Sequence, residues 1–176
     1  MDHFGGRADQ VFSNRFPVDC VSNSLAYLLF GENIGTANCT IPETPYDWHT
    51  TRQAVFMDLW QSPKVGKEGY RTITTWRNKG KDRVYKGETY YWTKHIEFER
   101  YIDLPSHRPV TFELAVSNGD EALPLLAENG WRTRPGLEVS NSLESYRDFI
   151  VNSTAEFTVA RDQYVRPNTG WFSDRS

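Results

Sequence analysis

The chain has 176 residues, 38% hydrophobic and 14% aromatic, with a formal net charge of −3. That length suffices for one domain with a sizeable core but not clearly for two, and six Trp and ten Phe favour burial over disorder. The absence of a basic stripe argues against DNA or RNA as the main partner, and no apolar run reaches the roughly eighteen residues of a membrane span.

The opening Met1-Asp-His-Phe-Gly-Gly lacks the basic and apolar regions of a signal peptide, so the expected compartment is the cytoplasm. There Cys20 and Cys39 stay free thiols, and the glycosylation sequons at Asn38 and Asn152 go unused. Leu25-Ala-Tyr-Leu-Leu-Phe30, closed by Gly31, is a candidate buried strand, although six residues do not exclude a helix segment. Residues 31–53, broken by Gly31, Gly35, Pro42 and Pro45, read as a long loop. The apolar run Ala54-Val-Phe-Met-Asp-Leu-Trp60 is expected to pack against the core, where Asp58 is a structural carboxylate.

From Tyr70 the pattern becomes regular. Tyr70-Arg-Thr-Ile-Thr-Thr-Trp76 is β-branched and aromatic, hence a strand, and Arg77-Asn-Lys-Gly-Lys81 is a basic turn directly after it. Val84 to Thr89 forms a loop or short hairpin around Gly87. Tyr91, His95, Phe98 and Ile102 fall on one helical stripe that Pro105 stops. Thr111–Val116 is a second strand. Asp120–Asn129 is a second helix, with Leu123, Leu126 and Ala127 inward, Pro124 in its first turn and Gly130 as a left-handed stop. Trp131–Arg134 is a short third strand. Asn141 and Glu144 have capping-box spacing ahead of a third helix lined by Leu143, Tyr146, Phe149 and Ile150. Glu156–Ala160 is the fourth strand. Gly170-Trp-Phe-Ser173 then reads as the approach to a helix start capped by Ser173.

Strands alternating with helices give βαβ units and a parallel sheet, a Rossmann-like α/β fold. Right-handed crossovers bring every strand's C-terminal end to one edge, where such sheets bind ligands. The Arg77–Lys81 turn and the Gly170–Arg175 loop both follow strands and are expected on that edge. A helix start reached through a glycine suits an anion such as a nucleotide phosphate; the bland alternative is a capped surface helix. Most basic turns are simply solvated, and Glu156 either bonds a sugar or ribose hydroxyl or pairs with a core arginine. Arg161 is a phosphate contact or a partner for Glu156. His49 and Arg52 sit in the long loop, with His49 a candidate general base or a plain surface histidine. Trp171 is a candidate stacking residue. The four histidines are scattered, and no metal site is expected.

Several phrases occur in collinear order: Gly31-Glu-Asn-Ile-Gly35, Trp48-His-Thr-Thr-Arg-Gln53 with Val55-Phe-Met-Asp-Leu-Trp60, Thr74-Thr-Trp76, and Glu97-Phe-Glu-Arg-Tyr-Ile-Asp-Leu-Pro105. Glu128-Asn-Gly-Trp131, Tyr146-Arg-Asp-Phe149, Ala155-Glu-Phe-Thr-Val-Ala160 and Thr169-Gly-Trp-Phe-Ser-Asp-Arg-Ser176 follow. On these the chain resembles bacterial glycosyltransferases of the GT-B fold. The resemblance implies two regions: residues 1–66, a remnant of the N-terminal acceptor-side domain with the inter-domain segment, and residues 67–176, a truncated nucleotide-sugar-binding Rossmann-like domain.

It further implies sugar transfer from a nucleotide-sugar donor to an unknown acceptor, with no cofactor or protein-bound metal. Gly170, Ser173 and Arg175 would lie by the diphosphate. Arg77 and Lys79 would neutralise the leaving diphosphate, which is electrostatic stabilisation of developing charge. Arg161 stands where the family pattern suggests lysine, which keeps the charge and changes the contact geometry. A chain of this extent is expected to associate with a missing half or with itself. The alternatives are an inactive nucleotide- or carbohydrate-binding fragment and an unrelated doubly wound interaction domain.

Overall fold

The computed structural model describes residues 27–42, 47–61 and 69–172. The described residues divide into two compact units, residues 27–42 and 47–53 with 164–172, and residues 54–61 with 69–163.

In the first unit, β1 (Tyr27–Leu29) and β2 (Trp48–Thr50) form a parallel pair in the register Leu28↔His49. The first strand expected from the sequence is present, but its apolar side chains are not all buried: Leu28 and Phe30 are exposed. The long loop contains β2, which its polar sequence does not announce. Glu32 to Thr40 and Pro167 to Gly170 are laced together. Thr40 N–H donates to Pro167 O at 3.0 Å, and Asn168 Nδ2 donates to Asn38 O at 2.9 Å.

The second unit opens with a 3-10 turn, Met57–Trp60. This run does not sink into the core as its composition suggests: Phe56 and Met57 are about two-thirds exposed. Its end is held by Trp60 edge-on to Tyr146 at 6.1 Å and by Arg147 donating to Leu59 O. Next come β3 (Tyr70–Thr75), the hairpin β4 (Arg83–Tyr85) and β5 (Glu88–Tyr90), and the short helix α1 (His95–Phe98). Lys86 and Gly87 both take positive φ, 50° and 82°, as a two-residue hairpin turn matching the strand twist requires. The expected long helical stripe is shorter than its pattern: α1 gives way to 3-10 turns at Glu99–Tyr101 and Leu104–His107, the latter holding Pro105.

The remaining elements are β6 (Phe112–Ser117), α2 (Leu123–Glu128), β7 (Arg132–Pro135), α3 (Gly136–Ser140), α4 (Leu143–Val151), β8 (Ala155–Glu156) and α5 (Asp162–Val165). The turn Asp120–Ala122 precedes α2, and Ala122 rather than Ala127 is its small buried residue. The α4 cap falls one residue later than the Asn141/Glu144 spacing suggests. Asn141 is still helical at the end of α3 (φ −78°, ψ −18°), whereas an N-cap must be extended. Ser142 (φ −142°, ψ 163°) therefore caps, accepting from Ser145 N–H at 3.1 Å, while Ser145 Oγ accepts from Ser142 N–H at 3.2 Å.

Four strands form a wholly parallel sheet in the order β7-β6-β3-β8, giving the Rossmann-like α/β architecture that the alternation predicts. β3 and β6 pair along their whole length, Tyr70↔Phe112 to Thr75↔Ser117. β8 is shorter than expected: it pairs only at Tyr70↔Ala155 and Arg71↔Glu156. Alternation along the strands sorts the two faces. Trp76, Phe98, Phe112, Leu114, Val116, Leu126 and Trp131 fill one face, and Ala115, Val139 and Phe149, with Ile73 against them, fill the other.

Candidate functional site

Numbered in chain order, the four strands lie third, second, first, fourth across the sheet. The chain therefore reverses direction of growth between β3 and β8, and ligands bind at such a switch point, outside the C-terminal ends of the strands. Two segments leave the sheet there: Trp76 to Lys81 after β3, and Phe157 to Arg161 after β8. Continued at the register Arg71↔Glu156, the second segment would bring Arg161 level with Trp76.

The hairpin returns the chain across this edge. Thr93 donates its hydroxyl to Trp76 O at 2.8 Å, and His95 N–H donates to the same carbonyl at 3.2 Å. Tyr91 N–H donates to the buried Asp162 carboxylate at 2.8 Å, and Gln163 N–H donates back to Tyr91 O at 3.3 Å. Residues 91–95 thus tie the loop after β3 to the segment after β8.

Arg77 is half-exposed and donates through Nε to Glu121 Oε1. Its Nη1 lies 3.2 Å from His95 Nε2, and His95 Nδ1 lies 2.7 Å from Thr93 Oγ1. The tautomer follows by elimination. Thr93 has one hydroxyl proton and spends it on Trp76 O, so its oxygen accepts from His95 Nδ1–H; Nε2 then carries the lone pair that Arg77 requires. The imidazole is neutral. Burial first, and the facing Arg77 second, push it below its ordinary pKa, while Glu99, Glu121 and the Trp76 carbonyl act the other way. Glu121 is held below the usual carboxylate range by its own backbone N–H and by the Arg77 guanidinium.

Arg161 stacks on Trp92, its guanidinium carbon 3.7 Å from the ring centroid, and Lys81 Nζ lies 5.3 Å from that ring. Buried polar atoms are ordinarily hydrogen-bonded. Thr74 Oγ1, Asn78 Nδ2 and Arg161 Nε are buried without a hydrogen-bond partner among the described residues. All three belong to the end of β3 or to the segments leaving β3 and β8.

The other residues expected from the sequence are dispersed. Lys79 is exposed on the same loop as Arg77. Glu156 is lower in the sheet, paired in register with Arg71, and accepts from Thr72 Oγ1 at 3.4 Å. His49 belongs to the first unit and is exposed, its Nε2 3.8 Å from Asp47 Oδ2. Arg52, also there, donates to Glu32 at 2.7 Å. Gly170 belongs to that unit too. Its φ is +67°, and a Cβ would come 2.9 Å from Asn33 N, so the close approach of these two backbones requires glycine. Trp171 bridges to Gly31 and stacks on Tyr164 at 4.9 Å. Ser173 and Arg175 lie outside the described residues.

Sequence reasoning missed His95 and Glu121 as neighbours of Arg77, and Thr93 as the partner of His95. His95 matches a helical stripe, and only the return of the hairpin brings it to the loop after β3. Among the described residues no three His, Cys, Asp or Glu side chains gather in a way that could hold a metal ion, and no helix is long and apolar enough to cross a membrane. No protein-family model, curated protein or solved structure matches the chain.

Proposed function

We propose that the C-terminal edge of the β7-β6-β3-β8 sheet binds the diphosphate of a nucleotide sugar, and that the chain is the donor-binding part of a glycosyltransferase-like protein. One observation carries the binding part. At the switch point between β3 and β8, the donors Asn78 Nδ2 and Arg161 Nε are buried with no acceptor among the described residues, on segments that also carry Arg77, Lys79 and Lys81. Such donors match phosphate oxygens, and a charge-assisted bond from arginine is stronger than a neutral one. Arg77 would trade the Glu121 carboxylate for a phosphate, compensating charge on a leaving diphosphate. The transfer step itself, and roles for Gly170, Ser173 and Arg175, rest on the resemblance to GT-B enzymes. A binding module without transfer is the second reading, favoured by Arg77 already being engaged by Glu121 and His95.

Calorimetric titration with UDP, GDP and their sugars tests binding. Saturable binding that Arg161→Ala weakens about tenfold or more, the loss expected for one hydrogen bond to a charged group, supports the site. No heat with any nucleotide at millimolar concentration removes it. Release of free sugar, or transfer to added acceptors, then separates an enzyme from a binding module.

A further inference from the structure

We propose that His95 is a positioning residue for Arg77: Thr93 locks its neutral imidazole in the Nδ1–H form, Nε2 holds the guanidinium by accepting from it, and protonation of the imidazole releases that hold. The inference deepens the anion-binding reading of this edge and supplies its regulation.

Three contacts build the arrangement in sequence. Thr93 is buried, and its hydroxyl is oriented by Trp76 O at 2.8 Å. That leaves the hydroxyl oxygen only as an acceptor for His95, at 2.7 Å. The opposite ring nitrogen is thereby left unprotonated 3.2 Å from Arg77 Nη1. The His95 backbone N–H also donates to Trp76 O at 3.2 Å, and the imidazole centroid lies 6.3 Å from that of the Trp76 ring. The charged groups facing it are Arg77 from the loop after β3, Glu99 from the turn following α1, and Glu121 from the turn preceding α2.

A protonated Nε2 cannot accept from Arg77. Two cations would then stand within 3.2 Å, with the Glu121 carboxylate engaged at the guanidinium Nε. An anion between them relieves that repulsion. Anion affinity at this edge therefore rises as pH falls through the imidazole's titration, and by linkage a bound anion raises the imidazole pKa by the corresponding amount.

Imidazole 15N and proton NMR of the full chain reads all of this, with inorganic sulfate as the probe because its charge is constant across the range. In the wild type, His95 is expected as the Nδ1–H tautomer at neutral pH and to titrate below its ordinary value. Arg77→Ala should move the titration upward, and Thr93→Val should admit the Nε2–H tautomer. An Nε2–H tautomer in the wild type overturns the proposal, as does a titration that Arg77→Ala leaves unchanged. Sulfate separates the two readings. If Arg77→Ala shifts His95 but sulfate at tens of millimolar does not, the positioning role stands and the anion site falls. If sulfate raises the His95 pKa in the wild type and not in Arg77→Ala, both stand.

Discussion

On one face of the parallel sheet, Phe98 meets Trp131 at 4.8 Å and Trp76 at 5.2 Å, with Phe112 and Phe157 closing the cluster ring against ring. On the other face, Arg71 and Arg134 share the Glu113 carboxylate, and both guanidinium groups lie over the Phe149 ring, at 5.4 and 5.6 Å. The same strands supply both faces by simple alternation. The aromatic face is held by area removed from water, a non-directional term, with one polar anchor in Trp131 Nε1–H donating to Ile102 O at 2.6 Å. The ionic face is held by geometry: a carboxylate with about a tenth of its side chain exposed is tolerable only while both arginines stay in place. One face should therefore tolerate changes of chemistry that conserve volume, and the other changes of volume that conserve charge.

The largest expected effect breaks the aromatic side. Phe98→Ala removes the ring at the centre of the cluster and should cost about 3–5 kcal/mol, read as a lowered denaturation midpoint; a loss under about 1 kcal/mol would mean the cluster is not the core. Next, Glu113→Gln conserves shape and removes the charge that two arginines share, at a cost of about 3 kcal/mol. If this change proves neutral, the ionic face is solvated and the contrast between the faces fails. Ser142→Ala removes the cap of α4, which carries Phe149, and should cost about 1 kcal/mol, with amide exchange rising first at the start of that helix.

The smallest effect is a pH dependence. The folded-state pKa of His95 lies below its unfolded value, so as pH falls the unfolded chain takes up this proton first. Stability should therefore fall as pH drops through the ordinary histidine range towards the depressed value. His95→Gln should flatten that slope; an identical slope in both proteins would show that His95 titrates alike folded and unfolded.

The central strands were legible because each is a β-branched and aromatic run that ends at a polar loop. The hairpin was legible from Gly87, and the stop of α2 from Gly130 at φ 82°. What the sequence conceals is decided by tertiary contact. The run from Val55 to Leu59 has core composition but lies exposed on the surface. The Asn141/Glu144 spacing is sound in itself but loses to the conformation that α3 imposes on Asn141. The place of Arg77 directly after a strand is legible. Its contacts are not, since no periodicity links Arg77 to His95 or Glu121, or His95 to the Thr93 hydroxyl. Gly170 follows the pattern of an anion-binding helix start in the sequence, and the structure gives its missing side chain a local reason, the backbone of Asn33.

The two-rung ladder between β3 and β8 bears on kinetics. The pairing of β3 with β6 is long, whereas that of β3 with β8 closes a much larger loop of chain for only two register positions. Loop-closure entropy is spent there for little immediate return, so this seam is expected to form late in folding and to open early in native-state fluctuations. Pulsed hydrogen exchange should find the amides of Tyr70 to Thr75 facing β6 protected before those of Ala155 and Glu156. The chain beyond the seam keeps its own hold on the hairpin, through Asp162 on Tyr91 and Arg161 on Trp92, so the opening would stay confined to the Ala155–Glu156 rungs and would not require global unfolding.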